Sequence, residues 1–497
     1  MTGSTTRRSF LGSASAAPAI LRGQARRRPN VLFAIMDDWG FGHAGAYGCG
    51  WVKTPGFDRI AERGVTFNNT FTSNPKCAPC RASILAGRNS WQMKEAVNHF
   101  SIFPPDFQVF PDLLEKAGYF VGLTGKGWGP GDFQSTGWKR NPAGPLFNRV
   151  TAKPPGQYIG NNDYAGNFED FLRQRPKDQP FSFWMGGTEP HRPYEDGIGL
   201  RMGKRLEDVT VPKYYPDHRT VRSDLLDYAV EVEYFDSHVL RALNLLEKTG
   251  ELDNTLVLMT SDHGMPFPRV KGQIYEAGFR LPLAAMWGRE FKGGTRVEDF
   301  INVRDYAPTI LEAAGVDAAG TMTGRSFLDA MKAGRSGWID ESCDTMLTGK
   351  ERHDLGRPRD AGYPVRAIRT KDFFYVRNYA PGTWPAGNPE TGYRNVDDSP
   401  TKNFILSRFD EYYRMSFGMR PAEELYLAAD PDNINNVAAD PKFAEVKRKL
   451  RERMEELLRS EGDPRMLNRA EFFDTIEYVG PRRHSYEEWL KNNGAQK

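Results

Sequence analysis

The sequence predicts an α/β fold: a large, mixed or parallel sheet sandwiched by helices, followed by a smaller α+β unit carrying an antiparallel sheet. Three observations predict it. Short apolar runs end in chemistry-bearing residues at four places, helical stretches separate those runs, and the texture changes to hairpin-like alternation after about residue 360. Strands alternating with helices read as a parallel sheet covered on both faces. The 497 residues suffice for one large core and an appendage, since single cores rarely grow beyond ~250–300 residues.

Taken in order, the elements begin after residues 1–28, MTGSTTRRSFLGSASAAPAILRGQARRR, where Arg7 and Arg8 precede Phe10, Leu11 and a weakly apolar run of small residues. This resembles a twin-arginine signal and predicts export to the periplasm or extracellular space; a disordered basic tail is the alternative. The α/β unit is read as 29–360. NVLFAIMDDWG (30–40) is a continuous apolar run that stops at Asp37 and Asp38, the pattern of a strand buried on both faces. PCRASILAG (79–87) reads as a helix start with Pro79 near its first turn, directly behind Cys77. FPDLLEKAG (110–118) reads as a helix, and YFVGLTGKGWG (119–129) as a strand with Lys126 just beyond it. PFSFWMGGTEPHRP (180–193) runs apolar and then reaches His191, and NTLVLMTSDHG (254–264) ends in Asp262 and His263. Between them, DLLDYAVEVEYFDSHVLRALNLLEKTG (224–250) is a long helix closed by Lys248 and Gly250.

In the second unit, 361–497, PVRAIRTKDFFYVRNY (364–379) reads as two antiparallel strands around a TKD turn. DPKFAEVKRKLRERMEELLRSEG (440–462) reads as a late amphipathic helix. The connection 381–403 is long, and long loops in compact proteins are often functional.

Composition excludes several classes. The 67 basic and 64 acidic residues leave a net charge of +3 with no field of one sign, which argues against nucleic acid and membrane surfaces as partners. Mean hydropathy is negative, and no apolar run approaches the ~20 residues of a membrane helix. Four cysteines are too few for a disulfide framework, so Cys49 and Cys343 are read as buried thiols.

In an open α/β sheet ligands sit outside the carboxyl ends of the strands. Four strand ends therefore deliver Asp37, Asp38, Lys126, His191, Asp262 and His263 to one edge. Asp37, Asp38 and Asp262 are hard oxygen ligands suited to Ca²⁺ or Mg²⁺; a solvated turn is the bland reading of the adjacent pair, disfavoured by the buried run before it. Cys77 and Cys80 admit a redox or zinc pair, a structural disulfide, or a reactive residue beside the anion-binding Arg81. A redox pair needs a thioredoxin-like context and zinc a second ligand pair, and neither is visible; Cys80 then reads as packing.

CAPCR (77–81) matches the Cys-x-Pro-x-Arg signature of the type I sulfatases, and RASILAGR resembles the stretch that follows it. NVLFAIMDDWGFG, TPGFDRIAERGVTFNNTFT, GLTGKGWG, TEPHRP, TLVLMTSDHG and TGRSFL follow in family order. SDHGMPFPRVK, EPHRP and ELYLAADPDNINNVAADPKF look most like heparan N-sulfatase and its bacterial relatives. The resemblance implies an alkaline-phosphatase-like fold and hydrolysis of sulfate esters or N-sulfates of a sulfated carbohydrate. It implies that a maturation enzyme oxidises Cys77 to formylglycine, whose hydrate is the nucleophile. Asp37, Asp38, Asp262, His263 and residue 77 would hold the cation, Ca²⁺ or another dication; Arg81, Lys126 and Lys271 would neutralise sulfate, and His191 would bind sulfate or protonate the leaving atom. His353, Arg366 and Trp128 would contact substrate, with Trp384 and Asn388 as weaker candidates.

Two positions depart from the family pattern. Trp128 stands where a Lys-x-His histidine is usual and cannot take up a proton. His263 stands where asparagine is common, and imidazole is a softer ligand, so other dications come into play. A phosphomonoester or phosphonate ester hydrolase of the same superfamily is the alternative enzyme, and a catalytically silent sugar-binding relative the alternative class. The sequence sets neither the sugar nor the oligomeric state.

Overall fold

The computed structural model describes residues 1–3 and 28–493, apart from 289, 319 and 484. Residues 4–27, which carry the expected export signal, lie outside the described residues. The main sheet is built from β1 (Asn30–Met36), β2 (Val65–Phe71), β3 (Phe120–Gly125), β4 (Phe181–Gly186), β5 (Thr255–Ser261), β6 (Arg280–Met286), β7 (Thr295–Val297) and β8 (Ile301–Asn302). The order across it is β8-β2-β6-β5-β1-β4-β3, with β7 also paired to β2. β3, β4, β1 and β5 are adjacent and parallel, while β6 runs antiparallel to β5 and β2. The sheet is therefore mixed by one reversed strand.

β1 shows why its sequence is apolar without alternation. Leu32, Ala34 and Met36 enter one apolar cluster, and Val31, Phe33 and Ile35 the other. Both faces are covered, so neither parity of side chain reaches water. Helices α1 (Pro55–Arg63), α4 (Tyr164–Gln174) and α5 (Arg219–Lys248) pack on the first face; α2 (Cys77–Ala86), α3 (Phe110–Lys116) and α6 (Tyr306–Ala313) pack on the second. α5 begins five residues ahead of the sequence reading, where the His218 side chain accepts a hydrogen bond from Thr220 N (3.2 Å). It ends as read, with Gly250 in the left-handed region at φ 71°.

The smaller sheet is antiparallel in chain order: β9 (Thr345–Lys350), β10 (Val365–Thr370), β11 (Phe373–Asn378) and β12 (Glu423–Leu427). Its first strand precedes residue 361, where the sequence reading starts the second unit. α7 (Ala444–Ser460) lays Leu450, Met454 and Leu458, spaced four apart on one helix face, against Leu347, Ile368, Tyr375 and Leu425. No described helix is long and apolar enough to cross a membrane. The four cysteines are free thiols; Cys343 is buried as read, but Cys49 is only half-buried.

Candidate active site at the carboxyl edge of the main sheet

Because β3, β4, β1 and β5 are parallel neighbours, the loops leaving them meet at one edge. Asp37 and Asp38 follow β1 directly, and Asp262 and His263 follow β5. Asp38 sits at φ 73°, an uncommon conformation for a side chain other than glycine. It is stabilised by a hydrogen bond from its N–H to Asp262 Oδ1 (3.1 Å). Cys77 opens α2, with Pro79 two positions on, where a missing N–H costs nothing. Its Sγ is buried, 3.3 Å from His263 Nε2.

Acids and bases interleave here. Lys126 Nζ donates to Asp37 Oδ2 (2.6 Å), Lys271 Nζ bridges Asp38 Oδ2 (2.7 Å) and Asp397 Oδ2 (2.8 Å), and Arg81 Nε donates to Asp262 Oδ2 (2.8 Å). Against the penalty of burial, Lys126, Arg81 and His191 hold the Asp37 carboxyl well below the ordinary range; Lys271 and His263 do the same for Asp38. Burial and the neighbouring Asp37 raise Asp262. Burial lowers the basicity of His263, but Asp262 and Asp38 lift it well above its usual value.

The donor set fits a cation. Ligand atoms of Asp37, Asp38, Cys77 and His263 all lie within 4.8 Å of one another. Asp38 Oδ1 is fully buried and has no hydrogen-bond partner among the described residues, although His263 Nε2 stands 2.9 Å away. Hydrogen bonding of His263 Nδ1 to Gly264 O (3.1 Å) leaves Nε2 as the ring nitrogen facing the acids. Oxygen donors with one imidazole suit Ca²⁺ less strictly than an all-oxygen set.

A cleft of about 600 Å³ opens over this cluster. Asp37, Cys77, Lys126, His191 and Lys271 line it, together with Lys76, His99, Glu189, Arg192, Glu231, Asp354, Arg394 and Asp397. His191 Nδ1 hydrogen-bonds Arg192 O (2.6 Å), which leaves Nε2 as the nitrogen available to a ligand. Asp354 accepts from Lys76 Nζ (3.1 Å) and from His99 Nδ1 (2.9 Å). Burial pulls His99 down to about 4, so its ring is neutral near pH 7.

Four expected roles change. Arg81 is fully buried and does not border the cleft. Its guanidinium is spent on Asp262, Asp37 and the carbonyls of Lys126 (2.7 Å) and Gly127 (3.2 Å), so it braces the acids and the Lys126 loop. Trp128 is in the core, edge-on to Phe103 at 5.1 Å, while its neighbours Gly129 and Pro130 reach the cleft. His353 is buried behind the cleft, with Nε2 against Asn74 Oδ1 (2.9 Å); the cleft takes the next residue, Asp354. Arg366 is buried between Asp463 (2.6 Å) and Glu351 (2.8 Å), away from the cleft. Neither Trp384 nor Asn388 borders it, but the same long loop sends in Arg394 and Asp397.

Residues 29–316 match the model of the sulfatase family. This chain belongs to the sulfatase family. Its enzyme class is accordingly that of the sulfuric ester hydrolases, and residues 267–380 match a second model, "N-sulphoglucosamine sulphohydrolase, C-terminal". The human N-sulphoglucosamine sulphohydrolase is 28% identical, over 88% of this chain and 91% of its own length. An ulvan-active sulfatase of Formosa agariphila is 26% identical, over 90% of this chain and 78% of its own. A solved structure of a protein in complex with D-glucosamine-2-N,6-O-disulfate superposes with a TM-score of 0.65 at 22% identity, covering 88% of this chain and 98% of that one. That likeness establishes the shared fold, large mixed sheet and small antiparallel sheet together. Within this sulfatase, Lys76, His99, Glu189, Arg192, Glu231, Asp354, Arg394 and Asp397 are charged or titratable cleft residues that sequence reasoning missed. Asp354 lies one position from His353 and Asp397 inside the flagged loop, but nothing local marks the dyad of His99 with Asp354.

Proposed function

We propose that this sulfatase hydrolyses the sulfate groups of a sulfated carbohydrate, as O-sulfate esters or as the N-sulfate of glucosamine. One observation carries the reading: Cys77 opens a helix at the foot of the cleft, its sulfur in the same buried cluster as Asp37, Asp38 and His263. Sulfur at position 77 stands in for the formylglycine that a maturation enzyme would make from it, and the hydrated aldehyde supplies an oxygen nucleophile. Asp37, Asp38, Asp262 and His263 would hold a dication, Ca²⁺ by preference, whose positive charge would offset the acids and polarise sulfate oxygens.

Lys126 and Lys271 border the cleft and bring fixed positive charge to the sulfate. Arg81 positions Lys126 and the acids from behind. His191 presents Nε2 to the leaving oxygen or nitrogen as a general acid. Trp128 cannot accept a proton, and the imidazoles that line the cleft are His191 and His99, the latter oriented by Asp354. The match of the carboxyl-terminal model and of the human relative favours N-sulfoglucosamine among the substrates. The segment outside the described residues would direct the enzyme out of the cytoplasm.

The test pairs mass spectrometry of the peptide containing Cys77, isolated from the native host, with sulfate release from N-sulfoglucosamine and from aryl sulfate and aryl phosphate. Formylglycine at 77 and a strong preference for sulfate are expected. Unmodified cysteine, or turnover of phosphate above sulfate, would refute the proposal.

A further inference from the structure

Helix α5 buries four acids, Asp224, Asp227, Glu231 and Asp236. Three are matched by the protein. Asp224 pairs with Arg192 (2.8 Å), Asp227 accepts from Gly197 N and Gly199 N (2.9 Å each), and Asp236 accepts from Gly56 N (2.7 Å) and Phe57 N (2.8 Å). Glu231 has no hydrogen bond or ion pair to any described residue, yet it is only 2% exposed and borders the cleft. Its neighbours there are committed elsewhere. Glu189 accepts from Tyr164 Oη (2.6 Å) and Gly160 N (3.0 Å), and Arg192 donates to Asp224 and to Pro266 O (2.8 Å).

A buried carboxyl without a partner costs folding free energy that an apolar side chain of the same size would not. Its place on the wall of the cleft that His191, Lys126 and Lys271 also line makes the ligand its partner. Resting on the sulfatase reading, the geometry points to Glu231 as a specificity-determining residue that binds a pair of adjacent hydroxyls on the sugar bearing the sulfate. Burial, with Glu189 nearby, pushes its carboxyl up to about 9. The group is thus a neutral acid near pH 7, able to donate to one hydroxyl oxygen while accepting from the next. Inorganic sulfate offers no hydroxyl pair and makes no use of it.

The experiment measures binding rather than turnover, by calorimetry in a Cys77→Ala background with Ca²⁺ present. The probes are inorganic sulfate, N-sulfoglucosamine and N-acetylglucosamine 6-sulfate. Glu231→Met is expected to weaken the better-bound sugar about tenfold more than sulfate, the effect of losing one to two hydrogen bonds, with an unfolding midpoint no lower than the parent's. Glu231→Gln, which still donates and accepts, is expected to keep the sugar-to-sulfate ratio within about threefold of the parent's. Equal weakening of sugar and sulfate, no weakening of the sugar, or a Gln variant as poor as Met overturns the inference. A parent that binds sulfate but neither sugar overturns this inference alone; a parent that binds none of the three overturns the sulfated-carbohydrate reading beneath it.

Discussion

Arg366→Met separates a structural arginine from a substrate-binding one. The wild-type guanidinium donates from Nε to Asp463 Oδ2 (2.6 Å) and from Nη2 to Asp463 Oδ1 (3.0 Å), and Nη2 lies 2.8 Å from Glu351 Oε1. Nη1 caps the carbonyls of Val365 (3.0 Å) and Lys350 (3.3 Å). All three charged residues are at most 3% exposed. Methionine fills most of the space but leaves Asp463 and Glu351 buried without this cation. Glu351 retains Arg465 (2.7 Å) and Asp463 retains Arg465 N (3.0 Å), so part of the loss is offset. Removing one partner of a buried ion pair costs about 3–5 kcal/mol, and the retained contacts place the expected loss near the lower end, about 3 kcal/mol. Urea unfolding followed by tryptophan fluorescence measures it. KM for a sulfated sugar, taken at a temperature where the variant is folded, is expected to stay within about twofold. A stability loss below about 1 kcal/mol, or a large rise in KM at unchanged stability, would refute the assignment and return Arg366 to the substrate.

Asp354→Asn keeps the shape of the side chain but strips the counter-ion from Lys76 and weakens the acceptor that orients the neutral His99 ring; a stability loss of about 3 kcal/mol and lower kcat/KM are expected, and unchanged values for both would count against the dyad. Chelating divalent cations should abolish sulfate release and lower the unfolding midpoint. Returning Ca²⁺ at a hundred times its Kd should restore about 2.7 kcal/mol; full activity after exhaustive chelation would rule out a required dication. Burial depresses His238 to about 4, with Asp163 (3.3 Å) opposing. Between about pH 6.5 and 4 the unfolded chain then binds a proton that the folded chain does not, so this ring's contribution is present above pH 6.5 and lost on acidification, at up to ~1.4 kcal/mol per pH unit. His238→Gln should flatten the slope of stability over that window, measured by urea midpoints at pH 7, 6 and 5; an unaltered slope would refute it.

Much of the fold is legible because each local signal has one physical cause. The unbroken apolar run of β1 can be satisfied only by cover on both faces, and its abrupt stop at Asp37 marks the strand end. Leu450, Met454 and Leu458 mark the buried stripe of α7 by spacing alone. The reversal of β6 is not legible, since RLPLAAM reads as a buried strand in either direction. The start of the small sheet at Thr345 is hidden for a similar reason, because β9 finds its partner, β10, some twenty residues later.

The sequence by itself determined which residue types reach the strand ends: two adjacent acids, a lysine, a histidine, an Asp-His pair, and a cysteine followed by proline and arginine. Those follow from hydrophobic periodicity and turn chemistry, which act over a few residues. Tertiary structure decided which of them face the cleft and which stand behind it. Arg81 and Arg366 are both arginines near promising motifs, yet each is consumed by buried carboxylates from far along the chain, Asp262 and Asp463. His353 and Asp354 differ by one position, and only packing against Asn74 and Gly272 turns the first inward while the second meets Lys76 and His99. A side chain's partner is set by electrostatics and packing in three dimensions, and neither is encoded in its neighbours along the chain.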